Sequence, residues 1–166
     1  LKKIFTPEHG LKGKLSAGEY VSSVSDEISG IQFISLYGNN KKPTQLDLRG
    51  IDLMVFDIQD IGSRYYTYVS TLTNILASCS ENNIPVVILD RPNPLGGNLI
   101  SGPILNTDYK SFVGFHPIPI IHGMSIGEIA IMINENRWFH IQKKANITII
   151  PCINWQRKDQ YQGSVK

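Results

Sequence analysis

The sequence lacks most of the signatures that mark metal, redox or membrane proteins. Only two cysteines occur, Cys79 and Cys152, far apart and without C-x-x-C spacing, so neither a zinc site nor a redox pair is implied. Both read as structural thiols, Cys79 within an apolar helical stretch; the sequence leaves a single disulfide open. The histidines His9, His116, His122 and His140 show no H-E-x-x-H or other ligand spacing, so no metal is expected. No G-x-G-x-x-G follows a strand, which removes support for a dinucleotide, and no cofactor is expected. Gly10-Leu11-Lys12-Gly13-Lys14-Leu15-Ser16 is only superficially a phosphate loop, because its glycines stand too close together. The absence of G-x-S-x-G argues against an ordinary α/β-hydrolase. No apolar run approaches the roughly 20 residues of a bilayer span. Sixteen basic against 14 acidic residues give a net charge of +2, which predicts neither nucleic acid nor an anionic membrane as partner. The pairs Lys41-Lys42 and Lys143-Lys144 read as solvated charges. The chain opens at Leu1-Lys2-Lys3 without a methionine or a signal peptide. It is therefore expected to be a fragment, and the missing leader says little about where the protein works.

What is present is one domain's worth of chain, 166 residues, enough to bury a real core. Leu1 to Phe5 reads as the end of a strand running into the turn-rich Thr6-Pro7-Glu8-His9-Gly10, and Ile31 to Tyr37 as a second strand. Pro43 to Leu48 suits one short helical turn. Asp52 to Asp57 is nearly all apolar, as expected of a strand buried on both faces of a parallel sheet. Tyr66 to Asn82 carries apolar residues at helical spacing, and Ile84 to Leu89 is another buried strand. This strand–helix–strand order signals a parallel crossover. A Gly/Pro-rich connection from Pro92 to about Pro119 follows; loops of that length are usually functional or packed as Ω-loops. Pro119 to His122 reads as a short strand. Ser125-Ile126-Gly127-Glu128 has the capping-box pattern ahead of an apolar helix. Ile147 to Ile150 is a last strand, and a polar tail begins at Trp155. The class is α/β, a three-layer domain with a mainly parallel sheet.

In open parallel sheets, ligands bind beyond the carboxyl ends of the strands. Polar clusters stand at such exits: Glu8-His9, Asp57 and Asp60 with Arg64, Asp90-Arg91, and His122. Each has a plainer alternative. Glu8 is either a surface carboxylate or a proton-transfer group held between a stiff Pro7 and a permissive Gly10. His9 can simply bond a nearby carbonyl, one of Asp57 and Asp60 can cap the following helix, and Asp90 can pair with Arg91. Arg64 either orders the carboxylates or grips a substrate carboxylate bidentately. Asn93, between Pro92 and Pro94, suits an Asx turn, and Glu128 is the capping-box member.

Taken together, Phe5-Thr6-Pro7-Glu8-His9-Gly10, Ser35-Leu36-Tyr37-Gly38, the run from Phe56 to Tyr68 and Leu89-Asp90-Arg91-Pro92-Asn93-Pro94 resemble the NamZ-type exo-β-N-acetylmuramidase family, long catalogued as a domain of unknown function. Ser111-Phe112-Val113-Gly114 and the run from His122 to Glu128 extend the match over nearly the whole chain. The resemblance implies that residues 1–166 form a Rossmann-like catalytic domain, without the first strand and the smaller C-terminal domain expected to complete the cleft. Ser101 stands where an acidic residue is expected, and no role is assigned to it. The implied activity is release of non-reducing terminal N-acetylmuramic acid from peptidoglycan fragments, by a secreted or periplasmic protein. Glu8 matches the family's leading catalytic candidate.

Glycosidases commonly use two carboxyl groups. Glu8 is expected to be general acid or base, with Asp60 or Asp57 as the second group unless the substrate's own N-acetyl group participates. Arg64, with His9 or His122, is expected to bind the lactyl carboxylate. Tyr66 and Tyr68 are candidate sugar-stacking faces, while Asp90 and Asn93 are expected at the substrate-binding edge. The rival readings are a non-catalytic module that binds muropeptides or acidic sugars, and an esterase or amidase on the same wall material.

Overall fold

The computed structural model describes residues 1–7, 24–25 and 30–160. The chain divides into two compact units, Leu1–Asp52 and Leu53–Lys166. In the first, β1 (Lys3–Thr6), β2 (Val24–Ser25) and β3 (Gln32–Ser35) form a sheet of order β1-β3-β2. The β1–β3 pair is parallel, Lys3 opposite Gln32 and Thr6 opposite Ser35, and β2 runs antiparallel to β3. The Thr6 carbonyl accepts from the Leu36 amide at 2.8 Å, carrying the pairing one residue past β3. The turn expected from Pro43 forms around Asp47, whose carboxylate accepts from the Thr44 amide at 2.8 Å and the Thr44 hydroxyl at 2.6 Å.

The second unit holds a parallel sheet of order β4-β5-β6, from β4 (Met54–Phe56), β5 (Val86–Leu89) and β6 (Ile147–Ile150). Helix α1 (Tyr68–Asn82) connects β4 to β5, and α2 (Ile126–Glu135) lies between β5 and β6. The register aligns Met54 with Val86 and Ile147, and Phe56 with Ile88 and Ile149. These rows form the better buried face, with Phe56 and Ile88 essentially sealed from solvent. The opposite row, Val55–Val87–Thr148, corrects the expectation that the first of these strands is covered on both sides, because Val55 is 51% exposed. An apolar run shows that a strand is hydrophobic, but only its neighbours decide which faces are covered.

Helix α1 buries Val69, Leu72, Ile75, Leu76 and Cys79, the helical spacing read from the sequence. It ends at Asn83, whose left-handed backbone (φ 58°) lets its amide reach the carbonyls of Cys79 and Ser80. Helix α2 buries Ile126, Ile129, Ala130 and Ile133 and opens with a complete capping box between Ser125 and Glu128. Both cysteines are free thiols. Burial pushes the Cys79 thiol up to about 12, which keeps it protonated and inert. Burial, and then the nearby Asp90 carboxylate, also raise Cys152.

The connection from Pro92 to Pro119 is tied to the unit at particular points but is largely exposed between them, with Ile100, Ile104 and Tyr109 open to solvent. The guanidinium Nη1 of Arg64 donates to the carbonyls of Pro103 at 2.8 Å and Ile118 at 2.5 Å, and Ser70 Oγ donates to the Phe112 carbonyl at 2.7 Å. The strand expected over Pro119–His122 does not form. Ile121 alone makes isolated bridges, to Ser63 and Ser101. Pro117 and Pro119 offer no backbone N–H, so a continuous ladder cannot propagate through this stretch. A single 3₁₀ turn, Thr107–Tyr109, lies within the connection.

Candidate active site

Because β4, β5 and β6 are parallel, their carboxyl ends share one edge, and a cavity of about 580 Å³ opens there. It is walled by Gln59, Asp60 and Ile61 after β4, by Pro92, Asn93 and Pro94 after β5, and by Trp155, Asp159 and Gln160 after β6. All of these residues belong to the second unit.

Asp60 is the chemically distinctive member. It is only 4% exposed. Its Oδ2 accepts from the Gly62 amide at 2.8 Å and lies 3.4 Å from His122 Nε2. The His122 Nδ1 accepts from the Met124 amide at 3.3 Å, which places the neutral ring's proton on Nε2, the nitrogen facing Asp60. That contact is too poorly aligned for a hydrogen bond, and Asp60 Oδ1 is buried with no partner among the described residues. Buried polar groups are nearly always satisfied, so an orphaned carboxylate oxygen, sealed from solvent on a residue of the cavity wall, sets Asp60 apart.

The surrounding loops hold Asp60 in place. Gln59 Nε2 donates to the carbonyls of Asp60 at 2.6 Å and Pro92 at 2.8 Å, tying the exits of β4 and β5 together. Asn93 forms the Asx turn, its Oδ1 accepting from the Leu95 amide at 2.9 Å while its Nδ2 donates to the Met124 carbonyl at 3.0 Å.

The other expected residues are distributed differently. Asp57 is exposed and accepts from Arg91, at 2.8 Å from Nε and 2.5 Å from Nη2. Asp90 therefore has another role. Its carboxylate accepts from Ser125 Oγ at 2.8 Å and the Gly127 amide at 2.7 Å, at the positive end of α2. Arg64 is buried and holds loop carbonyls with its guanidinium instead of a neighbouring carboxylate. His122 has a fully buried side chain that faces Asp60, so it can act on a ligand only through that carboxylate. Tyr66 packs edge-on against Tyr68, ring centroids 4.7 Å apart, and neither tyrosine lines the cavity. Glu128 serves the capping box and also pairs with Arg157. Glu8 and His9 lie outside the described residues.

Sequence reasoning missed the third wall. Trp155, Asp159 and Gln160 read as the start of a polar tail, yet they close the cavity. The available signal was a lone tryptophan in an otherwise polar segment. Among the described residues, no group of His, Cys, Asp and Glu is arranged to hold a metal ion, and no helix is long and apolar enough to cross a membrane.

Comparison with known proteins identifies the family. The sequence model of the family described as "Exo-beta-N-acetylmuramidase NamZ, N-terminal" matches residues 1–165. The chain is 48% identical over 158 residues to the peptidoglycan beta-N-acetylmuramidase NamZ of Bacillus subtilis (strain 168), covering 95% of this chain and 37% of that protein. Two crystal structures of DUF1343 family proteins from Bacteroides fragilis NCTC 9343 superpose with TM-scores of 0.86 and 0.83, each at 38% identity. They cover 97% of this chain, and 40% and 41% of theirs. The chain thus spans about two fifths of the length of the relatives it matches. It belongs to the NamZ exo-β-N-acetylmuramidase family, to whose N-terminal part it corresponds.

Proposed function

We propose that this chain supplies a catalytic edge of a glycosidase that releases non-reducing terminal N-acetylmuramic acid from peptidoglycan fragments, in a secreted or periplasmic protein. The observation that carries the reading is Asp60, a residue of the wall of a ligand-sized cavity whose carboxylate is buried, held by the Gly62 amide beside His122, and has one oxygen without a partner among the described residues. The similarity to the Bacillus subtilis muramidase supports the choice of sugar.

In this reading Glu8 is the general acid or base at the glycosidic oxygen, and Asp60 is the second carboxyl group. Asp60 is preferred to Asp57 because Asp57 is exposed and already neutralised by Arg91. As a carboxylate, Asp60 would stabilise positive charge developing at the anomeric carbon, or hold the water that attacks it. Arg64 and His122 are bonded within the unit, which leaves His9 as the proposed partner of the lactyl carboxylate.

The test is an assay of the protein at its natural full length on a chromogenic N-acetylmuramic acid glycoside, with Glu8→Gln beside the wild type. Release of the chromophore and free sugar by the wild type, with loss of nearly all the rate in Glu8→Gln, is expected. Binding without turnover favours a muropeptide-binding module instead. Release of acid or amine without a reducing sugar favours an esterase or amidase. More than a tenth of the wild-type rate in Glu8→Gln removes that residue from the mechanism.

A further inference from the structure

Two residues of the cavity wall each carry a buried polar atom, and the two atoms have opposite hydrogen-bonding sense. Asp60 Oδ1, as carboxylate, can only accept, and Trp155 Nε1–H can only donate; neither has a partner among the described residues. Both atoms are sealed from solvent in the free protein, so a ligand meets them only when the two side chains turn toward the cavity. A ligand that satisfies both carries donors and acceptors together, as hydroxyl groups do. The remaining wall is mainly apolar, with a smaller polar part. Ile61, Pro92, Pro94 and the indole offer apolar surface, while Asn93, Asp159 and Gln160 add polar groups. A pyranose has this split character, with C–H groups on its faces and hydroxyls around its rim. The cavity, about 580 Å³, lies within the range for small-ligand sites.

The segment that carries Trp155 is firmly attached. Arg157 Nη1 donates to the carbonyls of Gly97 and Gly123, each at 3.1 Å, and its Nη2 pairs with Glu128. The Arg157 carbonyl accepts from the Gly97 amide at 2.6 Å. Gly97 makes this approach possible, since a β-carbon there would stand 2.8 Å from Arg157 Cγ. Asp159 closes the following turn, its Oδ2 accepting from the Gln156 amide at 2.8 Å. The capping box of α2 thus fixes one wall of the cavity through Glu128 and Arg157.

We propose that Trp155 is the stacking platform of a saccharide subsite in this cavity, with Arg157 as its positioning residue. The indole face covers a sugar ring. The N–H lies in the indole plane, so it donates to a group beyond that ring's edge, a substituent or the next sugar. Asp60 Oδ1 accepts from a sugar hydroxyl or from the attacking water. This assignment rests on the saccharide reading above, and it moves the aromatic contact from Tyr66 and Tyr68 to a residue after β6.

The experiment uses the protein at its natural full length, with kinetics on the chromogenic glycoside and calorimetric titration with N-acetylmuramic acid. Trp155→Ala is expected to raise KM and Kd by about tenfold or more, a loss on the order of 1.4 kcal/mol, while kcat stays within about threefold. Trp155→Phe keeps a stacking face and is expected to recover most of that loss. Arg157→Ala is expected to raise KM in the same direction by a smaller factor. A folded Trp155→Ala with KM and Kd within about twofold of wild type overturns the assignment while leaving the glycosidase reading intact. Should Trp155→Ala fail to fold, Trp155→Phe decides, and a tenfold rise in its KM overturns the platform. A wild type that binds the sugar but does not turn over removes the catalytic reading, and the Trp155 assignment is then judged by Kd. A wild type that neither binds nor hydrolyses removes both.

Discussion

Gly62 lies against Asn93 so closely that a β-carbon on Gly62 would stand 2.2 Å from Asn93 Oδ1. Its φ of +81° is also one that L side chains rarely adopt. The two residues follow different strands, β4 and β5, and their contact sets how closely the cavity's first two walls approach. Gly62→Ala is therefore expected to destabilise the protein by about 2–4 kcal/mol, combining backbone strain with overpacking. Because the Gly62 amide holds Asp60 Oδ2, activity should fall by more than the folded fraction does. Urea unfolding beside kcat/KM checks this; an alanine variant with wild-type midpoint and rate contradicts it.

Both helices and the strands of the parallel sheet were legible in the sequence, whereas β2, the 3₁₀ turn and the loss of a strand at Pro119–His122 were not. Helix α1 followed from its apolar spacing, α2 from Ser125 and Glu128, and β6 from Ile147–Ile150, because local patterns decide such elements. Asp60 was legible as a strand-exit carboxylate, but its difference from Asp57 was not. One residue takes an exposed pairing with Arg91 and the other a buried place beside His122, a choice made by loops more than 30 positions apart in the chain. Trp155 was obscured for a similar reason. Its segment is polar by composition, and only the Arg157 contacts to Gly97, Gly123 and Glu128 show that it folds back.

Asp90 binds the start of α2 through Ser125 Oγ and the Gly127 amide. Hydrogen bonds to a charged group contribute about 1.5–3 kcal/mol. Asp90→Ala is expected to lower stability by about that much, most of it as loss of α2. Hydrogen exchange on α2 amides distinguishes this from a direct catalytic effect: unchanged protection there rules out the capping role.

His116 gives the protein a defined acid sensitivity. It is buried, with its Nε2 2.7 Å from the Thr73 hydroxyl and its ring stacked on Trp138 at 5.0 Å. Burial first, then the charges of Lys110 and His140, push its pKa down to about 3 from an ordinary value of 6.5. The folded state thus keeps this ring neutral while the unfolded chain takes up a proton below about pH 6.5. Its contribution is fully present above that pH and is lost as pH falls toward about 3, by roughly 1.4 kcal/mol per pH unit. Urea midpoints at pH 7 and pH 5 should show the drop, and His116→Phe should shrink it. Equal drops in the two proteins would contradict the assignment.

The most direct test of the central claim is the rate at which Asp60→Asn, at the protein's natural full length, releases N-acetylmuramic acid from the chromogenic glycoside. Asparagine keeps the size and the acceptor for the Gly62 amide but removes the charge. The expected result is at least a hundredfold lower kcat, about 2.7 kcal/mol of lost transition-state stabilisation, with a thermal midpoint close to wild type. A folded Asp60→Asn that retains more than a tenth of the wild-type kcat contradicts the account.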